Sequence, residues 1–288
     1  MTALFGTAGN EQAFFSAGFR KTIQAPAYVA SLGLDAYEYQ CGHGVRISPD
    51  GAQALGHAAQ EAGIILSLHA PYYISMASKD PAIRERSIHY ILQSARAAKW
   101  MGAGRVVVHP GACAGRPREE AMLLCLETFR KALKALDEEN LQQVHICPET
   151  MGKIGQLGTL HEVLTICKLD ERLLPCLDFG HLNARTNGGL ASRADYQVIL
   201  DAVKQMLGEE RQRHFHAHFS KIEYTKTGGE KRHLTFADTV YGPPFSPLAE
   251  ELAARNLCPT VICESAGTQG ADAKQMQVRY LSYLSSQN

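Results

Sequence analysis

Five short apolar runs of this chain each end on side chains that can bind a metal ion. These runs are Leu66-Ser67-Leu68-His69, Val106-Val107-Val108-His109, Val144-His145-Ile146-Cys147-Pro148-Glu149, Pro175-Cys176-Leu177-Asp178-Phe179-Gly180-His181 and Val261-Ile262-Cys263-Glu264. Each residue alone has an ordinary structural explanation, such as a hydrogen bond for His69 or a helix cap for Glu149. Their repetition instead predicts one shared site, because clustered carboxylates and imidazoles would repel or stay unpaired unless cations neutralised them.

The chemistry of these donors narrows the choice of metal. Imidazoles mixed with carboxylates, without thiolates, are typical of zinc, manganese or iron sites rather than calcium or magnesium sites. More than five ligands exceed what one catalytic zinc ion takes from a protein, so the pattern predicts two or three ions, two of which Glu149 can bridge. Closely spaced ions of this kind activate water and stabilise both oxygens of an in-line phosphoryl displacement.

Alternating strand-like and helix-like segments must position these residues. The predicted strands are Ala3–Thr7, Leu34–Tyr39, Ile64–Leu68, Arg105–Val108, Val144–Cys147, Leu173–Leu177, His214–Phe219 and Thr260–Cys263. The predicted helices are Ile23–Leu32, Ser48–Ala62, Asp80–Trp100, Pro117–Asn140, Thr159–Cys167, Arg193–Leu207, Pro247–Asn256 and Asp272–Leu284, with a long polar loop over 220–247. Eight such units without a break in composition predict an α/β fold, a single (β/α)8 TIM-barrel domain over residues 1–288. In such a barrel the functional residues lie at the C-terminal ends of the strands.

Composition sets further limits. The 29 basic and 29 acidic residues balance, so a global polycationic surface is excluded and any contact with nucleic acid must come from a local patch. The eight cysteines form no Cys-x-x-Cys pair and are expected to be reduced, buried thiols. No signal-peptide pattern and no apolar stretch near ~20 residues occurs, so we expect a cytoplasmic protein without membrane contact. No protein partner can be inferred.

The chain resembles the endonuclease IV family, within the xylose-isomerase-like barrels, over nearly its full length. The motifs that carry this resemblance are His69-Ala70-Pro71-Tyr72-Tyr73-Ile74-Ser75, Val108-His109-Pro110-Gly111, Glu149-Thr150-Met151-Gly152 with a later Gly158, Asp178-Phe179-Gly180-His181, and His218 followed by Lys231-Arg232-His233. Members of that family are zinc-dependent and cut DNA 5′ to abasic sites in base-excision repair. The resemblance implies duplex DNA with abasic or damaged sites as the partner, a trinuclear cluster, and direct attack by a metal-bridging hydroxide.

The resemblance also implies a role for each matched residue. The first ion would be held by His69, His109 and Glu149, the second by Glu149, Asp178, His218 and Glu264, and the third by His181 and His233. Glu149 would be the central catalytic residue, and Tyr72 would probe the DNA minor groove. His216 points to the same face as His218 and would orient a ligand or contact substrate. In the basic loop, Lys231 and Arg232 would grip the phosphate backbone.

Some positions depart from the family pattern and leave alternatives open. The family's Asp-Arg-His is Lys231-Arg232-His233 here, so either Glu230 replaces the acidic ligand of the third ion or that site is weak or empty. After strand two, only Arg46 matches the usual basic loop. A sugar isomerase or epimerase that binds one manganese or other divalent ion is the main alternative, with carboxylates as acid and base. A non-catalytic nucleic-acid-binding or metal-binding protein is the third.

Overall fold

The computed structural model of the chain describes residues 2–286. Its strands are β1 Leu4–Ala8, β2 Ala36–Gln40, β3 Ile65–His69, β4 Arg105–Val108, β5 His145–Pro148, β6 Cys176–Asp178, β7 His216–Phe219, β8 Lys221–Thr225, β9 Gly229–Leu234 and β10 Thr260–Cys263. Its helices are α1 Gln12–Ser16, α2 Ala25–Ser31, α3 Pro49–Ala62, α4 Pro81–Met101, α5 Arg118–Glu138, α6 Leu160–Cys167, α7 Phe179–Arg185, α8 Arg193–Leu207, α9 Glu209–Arg213, α10 Ser246–Ala254 and α11 Gln269–Ser285, with one 3-10 turn at Thr22–Gln24.

Eight of the strands form one parallel sheet in the order β5-β4-β3-β2-β1-β10-β7-β6. The two outer strands, β5 and β6, approach each other. The Leu174 amide donates a hydrogen bond of 3.1 Å to the Ile146 carbonyl, and the Thr150 amide donates one of 3.0 Å to the Cys176 carbonyl. This contact nearly closes the sheet into a barrel. The predicted TIM-barrel fold is therefore confirmed.

Helix boundaries follow the local signals in the sequence. Ser48 caps α3, since its hydroxyl accepts a hydrogen bond of 3.1 Å from the Gly51 amide, and proline occupies the first helical position. Asp80 caps α4 in the same way through the amide of Ala82. Both helices end at a glycine, Gly63 or Gly102, with a φ of 69° that favours a residue without Cβ.

The prediction of a long loop over 220–247 is wrong, because this segment contains the antiparallel hairpin β8–β9. β8 alternates charged Lys221 and Glu223 with Ile222 and Tyr224, but β9 carries charged residues on both faces and so lacks the apolar alternation by which a strand is usually predicted. Helix α7 was also not predicted. It has only seven residues and follows β6 without a connecting loop, so its sequence reads as the end of a strand.

Apolar side chains fill the space between the barrel and its helices. The largest fully buried ones include Phe5, Phe129, Phe179, Tyr196 and Tyr280. All eight cysteines are free and buried, as predicted. No helix within residues 2–286 has the length and apolarity that crossing a membrane requires. The inside of the barrel differs from this apolar packing near the C-terminal ends of its strands, where buried polar residues replace it.

Candidate metal centre

Metal-competent side chains at or near the C-terminal ends of six barrel strands lie together at one end of the barrel. His69 ends β3, Asp178 ends β6 and His218 lies in β7, while His109, Glu149 and Glu264 directly follow β4, β5 and β10. Four of them, His69, His109, Glu149 and Glu264, line a cavity of about 330 Å³, and Asp178 and His218 do not line it. The residues lining this cavity are His69, Tyr72, His109, Glu149, Met151, Lys153, Gln156, His181, Glu230, His233 and Glu264.

Glu149 lies at the centre of this arrangement and is almost completely buried. Its Oε2 atom is 3.3 Å from Nε2 of His69 and 3.0 Å from Nε2 of His109. Its Oε1 atom is 3.1 Å from Nδ1 of His218 and 3.4 Å from Nδ1 of His181. Oε2 thus faces Nε2 of two imidazoles and Oε1 faces Nδ1 of His218, so each oxygen could contact a different ion.

Asp178 and Glu264 complete a second group of donors around His218. One donor atom from each of Glu149, Asp178, His218 and Glu264 lies within 4.8 Å of the others. Asp178 also caps α7, since its Oδ1 accepts a hydrogen bond of 2.7 Å from the His181 amide. Its other oxygen, Oδ2, is buried and accepts no hydrogen bond, although Nδ1 of His181 is 3.2 Å away. The cap therefore fixes the carboxyl group and leaves one oxygen available to a ligand.

A third group of donors comes from the β8–β9 hairpin. The two strands pair residue by residue on either side of Lys231, which has no partner in β8 and is the extra residue of a β-bulge. Residues three apart on a regular strand face opposite sides, but the bulge turns both Glu230 and His233 toward the cavity. Glu230 Oε2 lies 3.3 Å from Nε2 of His181, and donors of the three residues lie within 4.8 Å of one another.

Two glycines let the hairpin approach the loop after β5. The Glu230 amide donates a hydrogen bond of 3.2 Å to the Gly152 carbonyl. A Cβ on Gly229, whose φ is +74°, would lie 2.2 Å from that same carbonyl oxygen. A Cβ on Gly152 would in turn lie 2.6 Å from the Cβ of Glu230. Any larger residue at either position would displace the strand that carries Glu230.

Contacts between buried carboxylates and imidazoles shift the pKa values of the centre. Burial lowers the pKa of His69, but its contact with Glu149 outweighs burial and raises the value to about 9. Burial is likewise outweighed at His181, where Asp178, Glu149 and Glu230 raise the pKa to about 10. Burial raises the pKa of Glu149, yet the surrounding imidazoles hold it well below its usual value. These pKa shifts favour an ionised Glu149 beside protonated His69 and His181, whose protons a cation could displace.

The ring orientations fit a divalent cation. Nδ1 of His69 donates a hydrogen bond of 2.8 Å to the Ala70 carbonyl, and Nδ1 of His181 donates one of 2.9 Å to the Thr150 carbonyl. Both rings therefore present Nε2 to the cavity. Such hydrogen bonds from the second ring nitrogen are typical of histidines that bind metals. The mixture of nitrogen and carboxylate donors suits zinc or manganese.

The residues predicted to bind substrate lie in three different environments. Tyr72 lines the cavity and is 55% exposed. Lys231 and Arg232 do not line it; they pair with Glu223 at 2.5 and 2.6 Å on the exposed side of the hairpin. His216 is fully buried, out of reach of a substrate in the cavity, so only the orienting role predicted for it is compatible with this position.

Three residues of the site were not singled out from the sequence. Lys153 and Gln156 line the cavity from the glycine-rich loop that follows β5. Glu38 lies in β2, fully buried, beside His216 and His218. Burial raises the pKa of Glu38, but both imidazoles lower it well below its usual value, while burial lowers the pKa of His216 to about 4. An acidic residue inside an apolar strand was the available signal for Glu38.

Comparisons of sequence relate the chain to known proteins. A family model described as a xylose isomerase-like TIM barrel matches residues 26–282. An uncharacterised protein of Methanocaldococcus jannaschii is 32% identical over 262 residues, which are 91% of each chain. A probable endonuclease 4 of Mycoplasma pneumoniae is 27% identical over 234 residues, which are 77% of this chain and 75% of the relative. The resemblance to endonuclease IV is thus confirmed at low identity.

Two solved structures share the fold over almost the whole length. A D-tagatose 3-epimerase-like protein has a TM-score of 0.74 at 18% identity, and the match covers 99% of both chains. Endonuclease IV from Thermus thermophilus has a TM-score of 0.71 at 19% identity, covering 98% of this chain and 99% of the other. These likenesses show the fold and do not separate a nuclease from an epimerase. By its sequence and its barrel, the chain belongs to the xylose isomerase-like TIM barrel family.

Proposed function

We propose that this protein is a metal-dependent phosphodiesterase of the endonuclease IV type, which cuts duplex DNA 5′ to abasic sites. The observation that carries this proposal is the number of donors around Glu149. One oxygen of this carboxylate faces His69 and His109, and the other faces His218, whose group also contains Asp178 and Glu264. A single ion cannot use both sets, so the centre favours the multinuclear chemistry of phosphodiester hydrolysis over single-metal chemistry.

We expect these donor groups to provide three positions for divalent ions. His69, His109 and Glu149 would hold the first ion, and His181, Glu230 and His233 the third. The second would be held by Glu149, Asp178, His218 and Glu264. Closely spaced ions supply an activated water and stabilise charge on the attacking and leaving oxygens of a phosphoryl group. Zinc suits these donors best, and manganese is the alternative.

Other residues of the cavity would bind and orient the DNA. Tyr72, exposed at the cavity, offers an aromatic face against which a base or an abasic sugar can stack. Lys153 is the one lysine or arginine among the described residues that line the cavity. Its loop is held rigidly, because Arg185 donates hydrogen bonds of 2.8 Å to the carbonyls of both Met151 and Lys153. A cation on a fixed loop beside the ions is well suited to bind a phosphate next to the cut.

Lys153→Met is expected to raise KM for abasic DNA by about tenfold and to change kcat little. The reason is the loss of one charge-assisted hydrogen bond to a phosphate, worth roughly 1.5 kcal/mol. The slope of binding affinity against salt concentration should also fall by about one phosphate contact. Lys168→Met, at the end of α6 that lies away from the cavity, is the matched control. If Lys231→Met raises KM and Lys153→Met does not, the phosphate contact lies on the hairpin instead.

A single-metal sugar epimerase is the second proposal that a specific observation favours. Glu149, Asp178, His218 and Glu264 form a complete site for one ion without any residue of the third group. One of the two glutamates could then serve as acid and the other as base toward a ketose. The D-tagatose 3-epimerase-like neighbour makes ketohexoses the sugars to test.

Incision of DNA by the metal-loaded protein tests the two proposals together. The substrate is a duplex with one abasic analogue, with and without chelator, beside a ketohexose incubated with the same preparation. We expect a single cut 5′ to the abasic site, lost with chelator, and two or three ions per chain. One ion per chain, no incision and turnover of the ketohexose would replace the nuclease by the epimerase. Full metal content without turnover of either substrate would favour a binding protein.

A further inference from the structure

A buried polar layer lies inside the barrel directly below the metal-competent residues. Glu38 of β2, Ser67 of β3 and His216 of β7 are all buried there. The inside of such a barrel is usually packed with branched apolar side chains. Burying a carboxylate in their place is unfavourable by several kcal/mol unless its partners compensate. The burial of these polar side chains therefore indicates a role beyond packing.

The carboxylate of Glu38 contacts the other polar side chains of this layer. Its Oε2 accepts hydrogen bonds of 2.9 Å from the Ser67 hydroxyl and 2.9 Å from Nε2 of His216. Its Oε1 accepts one of 3.0 Å from the side-chain amide of Gln40. The same Oε1 lies 3.0 Å from Nε2 of His218, although this approach lacks the alignment of a hydrogen bond. Four groups from three strands thus fix the carboxylate in one position.

The position of Glu38 determines which nitrogen of the His218 ring faces Glu149 and Glu264. With Nε2 beside Glu38, the ring turns Nδ1 toward Oε1 of Glu149 at 3.1 Å and Oε2 of Glu264 at 3.5 Å. A carboxylate beside one ring nitrogen favours a proton there, which leaves the lone pair of the other nitrogen to a cation. Glu149 and Glu264 lie on the other side of the ring, where Nδ1 of His218 forms a hydrogen bond of 3.1 Å with Oε1 of Glu149, so a cation bound there would replace a proton on Nδ1.

We propose that Glu38 is a positioning residue that orients His218 and selects its metal-binding tautomer. Glu38 thereby sets the cation affinity of the group formed by Glu149, Asp178, His218 and Glu264. This inference rests on the metal site of the proposed function, and it holds whether the substrate is DNA or a sugar. The third group, His181, Glu230 and His233, has no contact with Glu38 among the described residues, so its affinity is independent of it.

Glu38→Gln separates this role from a structural one, because it removes the charge and keeps the size. We expect zinc affinity at the His218 group to fall by about 10- to 100-fold, the range typical of carboxylates behind a metal-binding histidine. Affinity at the His181 group should not change. Competition with a chromophoric chelator measures both, and the visible spectrum of bound cobalt reports the ligand geometry of each site.

Glu11→Gln is the matched control. Glu11 is also a buried carboxylate, which accepts hydrogen bonds from Tyr28 at 2.6 Å and from the Gly270 amide at 3.0 Å, neither of which belongs to the donor groups. The substitution should lower thermal stability and leave zinc affinity unchanged. If Glu38→Gln behaves in the same way, Glu38 has only a structural role and the proposal is overturned.

Glu38→Asp keeps the test decisive if the glutamine variant does not fold. It retains the charge, so we expect affinity at the His218 group between those of the wild type and a variant without charge. Unchanged affinity and an unchanged cobalt spectrum in this variant would overturn the proposal. A wild-type protein that binds no zinc or cobalt would instead refute the proposed metal centre itself, and this is measured before any variant.

Discussion

Glu149→Gln is expected to lose both ions that share this carboxylate and, with them, all measurable turnover. Within residues 2–286, Glu149 is the one carboxylate that pairs with His69 and His109, and it also pairs with His181 and His218, whereas the amide nitrogen of glutamine cannot bind a cation. Bound ions contribute several kcal/mol to stabilisation of the transition state. At about 1.4 kcal/mol per factor of ten, the rate should fall by roughly a thousandfold or more.

Metal content and rate must be measured on the same preparation of this variant. We expect fewer than one ion per chain after dialysis against free zinc at which the wild type keeps two or three. Glu223→Gln is the control, because Glu223 is a carboxylate of the hairpin that pairs only with exposed Lys231 and Arg232 among the described residues. Wild-type metal content in Glu149→Gln would show that this carboxylate does not bridge ions, even if the rate fell.

The convergence of His69, His109, Glu149, Asp178 and Glu264 could be predicted from sequence for a simple reason. In a parallel barrel every strand runs in the same direction, so residues at the ends of strands meet on one face whatever the details of packing. The pattern of apolar runs therefore predicted both the fold and the neighbourhood of these residues. It did not predict distances, and it left open which oxygen of Glu149 faces which imidazole.

Glu38 and the hairpin could not be derived in the same way. Glu38 lies within β2 rather than at its end, and its partners His216 and His218 are 178 and 180 positions away, so only the closed barrel brings them together. The position of Glu230 depends on the bulge at Lys231, and a bulge changes which residues face inward without changing their spacing. A motif aligned by spacing alone assigns position 231, whereas the register of the strands assigns position 230.

Glu230→Gln is accordingly expected to lose the third ion and keep the other two. Glu230 is the carboxylate grouped with His181 and His233, at 3.3 Å from His181, and glutamine offers only a weak neutral donor in its place. The loss of one ion of three should lower the rate of DNA incision by about 100-fold, corresponding to roughly 3 kcal/mol. Metal analysis should show one ion fewer per chain than the wild type. An unchanged count would mean that the third group holds no ion in the native protein.

The double variant Glu230→Gln, Lys231→Asp tests whether the family motif or the register of the hairpin strands identifies the acidic ligand of the third ion. It restores the Asp-Arg-His order of the endonuclease IV family. If that motif identifies the acidic ligand, the third ion and the activity should return. We expect neither the ion nor the activity to return, because Lys231 is the extra residue of the bulge and its side chain pairs with Glu223 outside the cavity. Recovery of the ion in the double variant would mean that the hairpin changes register to follow its acidic residue. Its continued absence would mean that the glycines at 152 and 229, which seat the hairpin on the loop after β5, fix the register independently of the ligand.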